Sequence, residues 1–249
     1  MDGVPAHPTH LPRPIGFAHR GARAHARENT IEAFSLALRL GATGLESDVW
    51  LTADGVAVLD HDGVVGTRLR RRPIRDVRRD DLPEHIPTLA DLFAALGTDY
   101  ELSLDVKDPE AGPAAVEAAL AADPTLPSRL WMCDVDHGRL VALRDVDPHV
   151  RLVDSTRLAR LKEGPERRAA QLRELGIDAL NLHHSDWTVG LVTLVHRFGR
   201  CAFGWDAQFE RTIGALLHMG ADAVYSDHVD RMTDVLGRHG AGAEPPEAL

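Results

Sequence analysis

The sequence alternates short, apolar, β-rich runs with helical patterns over most of its length, and this alternation limits the folds open to it. Nine runs have the composition of strands: residues 15–19, 44–51, 56–60, 100–107, 129–134, 150–154, 179–183, 200–205 and 222–226. Helical patterns follow most of them, and glycines such as Gly41, Gly97 and Gly176 stand just past the helix ends. Strands that alternate with helices predict a parallel sheet of the α/β class.

One run interrupts the alternation. Only Thr52-Ala53-Asp54-Gly55 separates run 44–51 from run 56–60, and an Asp-Gly pair between strands favours a hairpin. With 56–60 as a return arm, eight strand–helix units remain in about 225 residues, the size of a (β/α)8 TIM barrel. A doubly wound open sheet would usually have fewer strands. We therefore predict a TIM barrel with a small hairpin and loop insertion, residues 52–87, after strand two.

The two ends differ from the rest of the chain. Residues 1–14 are rich in proline, and residues 240–249 are small and proline-rich, so we predict a flexible N-terminal arm and a flexible tail around one barrel domain, residues 15–239. Inside the insertion, the mixed charges of residues 68–81 predict a solvated surface loop.

Charge and hydropathy exclude several classes of partner. The formal net charge of −10 disfavours nucleic-acid binding, which depends largely on basic groups. No apolar run approaches the roughly 18 residues of a membrane span, and no secretory signal is readable at the N-terminus. Cys133 and Cys201 lie in apolar runs and predict buried free thiols. Together these features predict a cytoplasmic protein.

Ionisable residues gather where the predicted strands end, which is where TIM barrels carry their active sites. They are His19, Arg20, Glu46, Asp48, Asp105 and Lys107. Glu46 and Asp48 are two residues apart and should project to one face of a strand, with Cα atoms ~7 Å apart. If the hairpin turn centres on Asp54-Gly55, His61 falls roughly opposite Asp48. All of these side chains would then meet at one mouth of the barrel.

The donor types suggest the chemistry of this mouth. Carboxylate oxygens favour a hard cation such as Mg²⁺ or Ca²⁺ over zinc. Arg20 and Lys107 suit an anionic substrate. In the alternative interpretation, Glu46 and Asp48 form salt bridges to Arg20 and Lys107 and serve stability only. The gathering of so many charges at one end favours function, because unpaired buried charges are costly.

Several motifs resemble those of the glycerophosphodiester phosphodiesterase family, whose barrels are similar to the phosphatidylinositol phospholipase C type. They are His19-Arg20-Gly21, Glu28-Asn29-Thr30, Ala33-Phe34, Gly41-Ala42, Glu46-x-Asp48-Val49, Thr52-x-Asp54-Gly55, Val58 and His61-Asp62. Weaker matches follow at Ile86-Pro87-Thr88-Leu89, Asp105-Val106-Lys107, Trp205 and Ser226-Asp227. The resemblance thus covers nearly the whole chain and is most specific in its first 62 residues.

The resemblance implies a metal-dependent hydrolysis of small glycerophosphodiesters to glycerol 3-phosphate and an alcohol. It implies a divalent cation, Mg²⁺ or Ca²⁺, on Glu46, Asp48 and Asp105. It also implies His19 and His61 as the acid–base pair, Arg20 and Lys107 on the phosphate, and Trp205 as an aromatic substrate contact. Two positions depart from the family pattern: Asp105 stands where glutamate is common, and Trp205-Asp206-Ala207-Gln208 replaces Trp-Thr-Val-Asn.

Two other functions stay open on the sequence. One is a related lipid phosphodiesterase of the phospholipase D or sphingomyelinase D type, which the lack of a signal peptide and of paired cysteines disfavours. The other is a non-catalytic barrel that binds phosphorylated ligands, although no histidine or carboxylate of the pattern is lost. The preferred alcohol, the metal, the division of roles between the histidines, a cyclic phosphate intermediate and the oligomeric state are not readable from the sequence.

Overall fold

The computed structural model describes residues 7–67 and 70–241, and a closed barrel of eight parallel strands lies at its centre. The strands are β1 (Ile15–His19), β2 (Gly44–Leu51), β3 (Ala57–Leu59), β4 (Val64–Thr67), β5 (Arg70–Pro73), β6 (Glu101–Val106), β7 (Leu130–Asp134), β8 (Arg151–Ser155), β9 (Ala179–His183), β10 (Cys201–Trp205) and β11 (Ala223–Ser226). The barrel closes because β1 pairs in parallel with both β2 and β11. The predicted TIM barrel is confirmed.

Helices connect the barrel strands. They are α1 (Ile31–Arg39), α2 (Leu89–Leu96), α3 (Ala111–Ala122), α4 (His137–Ala142), α5 (Pro165–Leu175), α6 (Val189–Arg197), α7 (Glu210–His218) and α8 (Val229–Ala241). Threonine side chains cap three of them: Thr30 on α1, Thr88 on α2 and Thr188 on α6 each accept a hydrogen bond from a backbone N–H of the first turn. Within the described ranges, no helix is long and apolar enough to cross a membrane.

The core has two layers. One fills the barrel, where Phe17, Trp131, Phe203 and Tyr225 pack together and the rings of Phe17 and Tyr225 stack with centroids 4.7 Å apart. The other layer lies between the strands and the surrounding helices. Cys133 and Cys201 are buried free thiols, as predicted. Since side chains fill the barrel interior, a ligand has room only at its ends.

The amino-terminal segment contacts the barrel. We predicted a flexible arm over residues 1–14, of which residues 7–14 are described. The backbone N–H of Leu11 donates to a carboxylate oxygen of Asp222 at 2.9 Å, and His7 N–H donates to the carbonyl of His218 at 3.1 Å. The Leu11 side chain packs against the interior core. This part of the segment therefore covers the end of the barrel at which the strands begin. The tail from residue 242 onward lies outside the described residues.

The predicted hairpin is present, but its loop differs from the expected turn. β3 pairs antiparallel with β2, and Leu51 lies opposite Ala57. Thr52 N–H donates to the Val56 carbonyl at 3.0 Å, so the loop has three residues, 53–55, and ends on Gly55 at φ +79°. Glycine adopts this left-handed conformation without steric cost, and three-residue hairpin loops use it to close.

The remainder of the insertion has a small core of its own. Val58, Ile74, Val77, Leu82 and Ile86 bury one another there. β4 and β5 form a second hairpin beside this core. The expectation of a solvated surface segment over residues 68–81 holds for most of its described part, where only Ile74 and Val77 are buried. The segment is not a plain loop, however, because it contains β5 and two short 3-10 turns, and the two buried side chains anchor it to this core. Residues 68 and 69 lie outside the described ranges.

Candidate active site

A cavity of about 520 Å³ opens at the carboxyl ends of the barrel strands. Seven of the eight residues predicted for the site line it: His19, Arg20, Glu46, Asp48, Asp105, Lys107 and Trp205. The sequence prediction did not include several other lining residues, namely Ser155, Thr156, Arg157, Arg160, Asn181, Asp206 and Tyr225. These groups lie at or just after the ends of barrel strands, which is where TIM barrels generally carry their active sites.

Three carboxylates meet on the β2–β6 side of the cavity. Glu46 and Asp48 alternate on β2, and the register pairs Asp48 with Asp105 on β6. One oxygen from each of the three lies within 4.8 Å of the others. Glu46 and Asp48 are only 5% and 2% exposed. This is a compact, oxygen-only donor set of the kind that hard divalent cations prefer.

Burial makes this concentration of negative charge unfavourable. Removal from water, together with the neighbouring carboxylates Asp48 and Asp105, raises the pKa of Glu46 to about 8, against the opposing effect of His19. Burial also raises the pKa of Asp105, although the Lys107 ammonium opposes the shift. A cation in contact with the three oxygens would favour their ionised forms.

Lys107 lies between two of the carboxylates. Its Nζ is 2.9 Å from Asp48 Oδ1 and 3.1 Å from Asp105 Oδ2. Burial lowers the pKa of Lys107, but attraction to Asp105 and Asp48 outweighs this effect, so the pKa lies above its ordinary value. The ammonium is therefore charged at neutral pH and compensates part of the acidic cluster.

Arg20 is held in a left-handed backbone conformation, with φ +54°. Its backbone N–H donates to Glu46 Oε2 at 2.9 Å, and its Nη1 lies 3.3 Å from both oxygens of Glu28. Its Nε is 3.4 Å from Asp48 Oδ2, yet within the described residues neither atom has a well-oriented hydrogen-bond partner. A buried carboxylate oxygen without such a partner is costly, so the arrangement fits an additional cationic ligand at Asp48.

His19 is oriented by Asp227, a residue that belongs to one of the weaker family matches in the sequence but is not among the predicted site residues. Its Nδ1 donates to Asp227 Oδ1 at 2.6 Å, and its Nε2 lies 3.8 Å from Glu46 Oε2. Burial lowers the pKa of His19, but Glu46 and the hydrogen bond to Asp227 raise it more, so the net shift is upward. Asp227 directly follows β11, and its position just past a strand end is the signal that would have identified it.

His61 lies outside the main cavity. Asp60, not His61, lies opposite Asp48, because the Asp60 N–H donates to the Asp48 carbonyl at 3.1 Å. The expectation that His61 faces Asp48 is wrong by one residue, owing to the three-residue hairpin loop. The His61 side chain lines an adjoining cavity of about 180 Å³ with Glu28, and its Nδ1 is 2.9 Å from Asp62 Oδ1.

His183 and His184 have an acidic neighbour that sequence spacing did not reveal. His183 Nε2 lies 3.1 Å from Asp206 Oδ2, and its Nδ1 accepts from the Ser185 N–H at 3.2 Å. Nδ1 therefore carries no proton in the neutral ring, and Nε2–H donates to Asp206. Both ring nitrogens are engaged, which favours a hydrogen-bonding role for His183 over a metal-binding one.

The comparisons with known proteins decide the family. The model of the glycerophosphoryl diester phosphodiesterase family matches residues 19–231. The chain belongs to this family. A Mycobacterium tuberculosis protein named "Probable glycerophosphodiester phosphodiesterase 2" is 31% identical over 89% of this chain and 90% of that protein. The protein is thus a phosphoric diester hydrolase, and the cavity is the candidate for its active site.

Solved structures of the family share the fold. The Oleispira antarctica phosphodiesterase in complex with the product sn-glycerol-3-phosphate superposes with a TM-score of 0.79 at 23% identity, over 90% of this chain and 97% of that one. The glycerophosphodiester phosphodiesterase of Thermotoga maritima gives 0.76 at 23% identity, over 90% and 99%.

Gln208, one of the departures from the phosphodiesterase family's pattern, links two strand ends. Its Oε1 accepts from the Asp227 N–H at 2.9 Å, and its Nε2 donates to Asp206 Oδ1 at 3.0 Å. Gln208 therefore helps to fix the position of Asp227, and through it the orientation of His19.

Proposed function

We propose that the protein hydrolyses glycerophosphodiesters to glycerol 3-phosphate and an alcohol, with the help of a divalent cation. The observation that carries the proposal is the meeting of Glu46, Asp48 and Asp105 beside His19 in one cavity. Small phosphodiester substrates suit a cavity of this size, which is within the usual range for ligand sites.

Glu46, Asp48 and Asp105 would hold the cation, with Mg²⁺ or Ca²⁺ favoured by the oxygen donors. Two features of the site support this assignment: the raised pKa values of Glu46 and Asp105, and the buried Asp48 oxygen that lacks a hydrogen-bond partner in the described chain. When bound, such a cation supplies Lewis-acid stabilisation of charge on the phosphoryl oxygens. The shorter Asp105 side chain is compatible with this set, since its oxygen already lies within 4.8 Å of the other two.

Arg20 and Lys107 bind the phosphate in this proposal. A phosphodiester carries one negative charge, and attack at phosphorus places more charge on its oxygens. Lys107 is two-thirds buried and fixed by two carboxylates, so its ammonium is held in place before the reaction begins. Trp205, at the end of β10 across the barrel from β6, supplies an aromatic substrate contact in this proposal.

His19 and His61 transfer the protons. One takes a proton from the attacking oxygen, and the other gives a proton to the departing alkoxide. The attacking oxygen belongs either to water, which gives the products directly, or to the substrate's own glycerol hydroxyl, which gives a cyclic phosphate that water then opens to glycerol 3-phosphate. The hydrogen bond of Nδ1 to Asp227 directs Nε2 of His19 toward the Glu46 side of the cavity. His61 would act from the adjoining cavity, after its side chain turns away from Asp62.

The test is an enzyme-coupled assay of glycerol 3-phosphate released from glycerophosphodiesters, before and after exhaustive chelation. We expect release that stops with chelator and returns with Mg²⁺ or Ca²⁺. Choline release from a lysophospholipid without glycerol 3-phosphate would favour the phospholipase D-type function instead. Binding of glycerol 3-phosphate without turnover of any diester would favour a non-catalytic barrel.

A further inference from the structure

The wall of the cavity farthest from the three carboxylates is formed by the ends of β8, β9 and β10. In the order of the closed barrel, β9 lies across from β2, and β10 lies across from β6. This distal wall, defined here as Arg157, Arg160, Trp205 and Asp206, lines the same cavity as the carboxylates. A substrate whose phosphate lies near Lys107 would therefore direct one of its two alcohols toward this wall.

The Trp205 ring already has a cation over it. The Arg157 guanidinium carbon lies 5.5 Å from the ring centroid, and His183 meets the ring edge-on at 4.6 Å. Asp186 fixes this arginine, since its Oδ2 accepts from Arg157 Nε at 2.8 Å. A quaternary ammonium group binds best over an open aromatic face. Here it would meet a fixed guanidinium instead.

The one acidic residue of the distal wall has its oxygens engaged. Asp206 Oδ2 accepts from His183 Nε2 at 3.1 Å, and Oδ1 accepts from Gln208 Nε2 at 3.0 Å. Its backbone has φ +62°, a left-handed conformation that these contacts help to hold. The Asp206 carboxylate therefore has reduced capacity to accept a further cation.

Arg160, in contrast, is exposed at the cavity and has no carboxylate partner in the described part of the chain. The formal charges of Arg157, Arg160, Asp186 and Asp206 cancel, so the net charge of this region does not decide its preference. The preference comes from the groups that remain unengaged, which are the Arg160 guanidinium and Nη1 of Arg157. Both are donors suited to phosphate or carboxylate oxygens.

We infer that the distal wall is a leaving-group subsite for alcohols that carry an acidic group, and that it disfavours choline. The inference rests on the proposed function and names its substrate class: glycerophosphodiesters whose second alcohol bears a phosphate or carboxylate. Arg160 is the specificity-determining residue, and Arg157 both covers Trp205 and adds a second donor.

Three substrates test the subsite: glycerophosphoinositol 4-phosphate, glycerophosphoinositol and glycerophosphocholine. The first two differ only in one phosphate. We expect kcat/KM for the phosphorylated substrate to exceed that for either of the others by about tenfold, the usual effect of a hydrogen bond to a charged group. Arg160→Gln should reduce this ratio to near one, and Arg160→Glu should invert it. Arg167→Gln is the matched control, because Arg167 is an exposed arginine of α5 that does not line the cavity.

Direct binding separates this inference from the proposed function. Inositol 4-phosphate and choline are titrated calorimetrically into the Mg²⁺-loaded wild-type protein and the Arg160 variants. Arg160-dependent binding of inositol 4-phosphate without turnover of any diester would uphold the subsite and overturn the proposed function. Turnover with equal ratios in wild type and both Arg160 variants, or with glycerophosphocholine as the best substrate, would overturn the subsite and leave the proposed function standing.

Discussion

His19 donates from Nδ1 to Oδ1 of Asp227 across 2.6 Å, and 208 residues of sequence separate the two. The carboxylate fixes which nitrogen of the neutral ring carries the proton and leaves Nε2 available for the proton transfer proposed above. Burial raises the pKa of Asp227, but the hydrogen bond from His19 and the charges around it lower the pKa more. Asp227 is therefore ionised at neutral pH and positions the histidine without titrating itself.

Asp227→Asn should reduce kcat by about 10²-fold or more, because an amide can donate to Nδ1 and stabilise the wrong tautomer. KM should change less. Since the carboxylate raises the pKa of His19, the variant should also show a lower His19 pKa in an NMR titration of the metal-free protein. Asp230→Asn is the control, as Asp230 lies 3.1 Å from His25 at a histidine pair outside the main cavity. An unchanged His19 titration with normal activity would rule out the positioning role.

Mg²⁺ or Ca²⁺ should stabilise the protein as well as activate it. A ligand at 100 times its Kd adds about 2.7 kcal/mol to the free energy of unfolding. For a chain of this length that raises Tm by roughly 5–10 °C. The shift should vanish in Asp48→Asn and persist in Asp230→Asn, whose carboxylate belongs to another potential metal-binding group. Differential scanning calorimetry with and without the cation measures it. An equal shift in both variants would place the cation elsewhere.

His19→Ala and His61→Ala should each reduce kcat by roughly 10²- to 10⁴-fold with the fold retained, the usual contribution of a general acid or base. His149→Ala is the matched control, since His149 is exposed and lines neither cavity. Steady-state kinetics and circular dichroism on the three variants distinguish the outcomes. Full activity in His61→Ala would show that the adjoining cavity plays no part in proton transfer.

The limits of sequence-based prediction are visible at the hairpin. The β-rich runs predicted each barrel strand because hydrophobic patterning is local and strong. The placement of His61 failed because it depended on whether the loop has two residues or three. A shift of one residue moves a side chain to the other face of a strand, and the register observed here is set by the β2–β3 pairing together with the hydrogen bond from Thr52 N–H to the Val56 carbonyl. Asp60 consequently lies opposite Asp48.

The missed residues have a different cause. Arg157, Arg160 and Asp206 follow β8 and β10, and the partners of Arg157 and Asp206 are Asp186 and His183, which lie more than 20 residues away in the sequence, at or just after the end of β9. Residue spacing carries no signal for such contacts. Glu46, Asp48, Asp105 and Lys107 were predictable because alternation along a strand places residues two apart on one face, and strand ends mark the mouth of the barrel.

Lys107→Met tests whether Lys107 serves stability, catalysis or both. The ammonium contacts Asp48 at 2.9 Å and Asp105 at 3.1 Å, so its loss leaves two carboxylates without this compensation. We expect a lower Tm for the metal-free variant at neutral pH.

Lys107 opposes the upward shift of the Asp105 pKa, so that pKa should rise further in the variant. A carboxyl group whose pKa is higher in the folded than in the unfolded protein reduces the free energy of unfolding at pH values above its unfolded-state pKa of about 3.9. This loss of stability disappears when the pH falls below that value.

The same substitution separates the two roles when the cation is added. A bound divalent ion would compensate Asp48 and Asp105 in place of the ammonium, so saturating Mg²⁺ should return the variant's Tm most of the way to that of the loaded wild type. The value of kcat/KM should nevertheless stay about 10²-fold lower, because the lost contact strengthens as charge builds on the phosphoryl oxygens. Lys107→Arg should recover stability more than rate, since a planar fork does not place its charge where the ammonium does. Melting curves and rates measured on the same preparations decide between the roles. If Mg²⁺ restored both Tm and kcat/KM to wild-type values, Lys107 would be a structural partner of the two carboxylates and no part of the phosphate site.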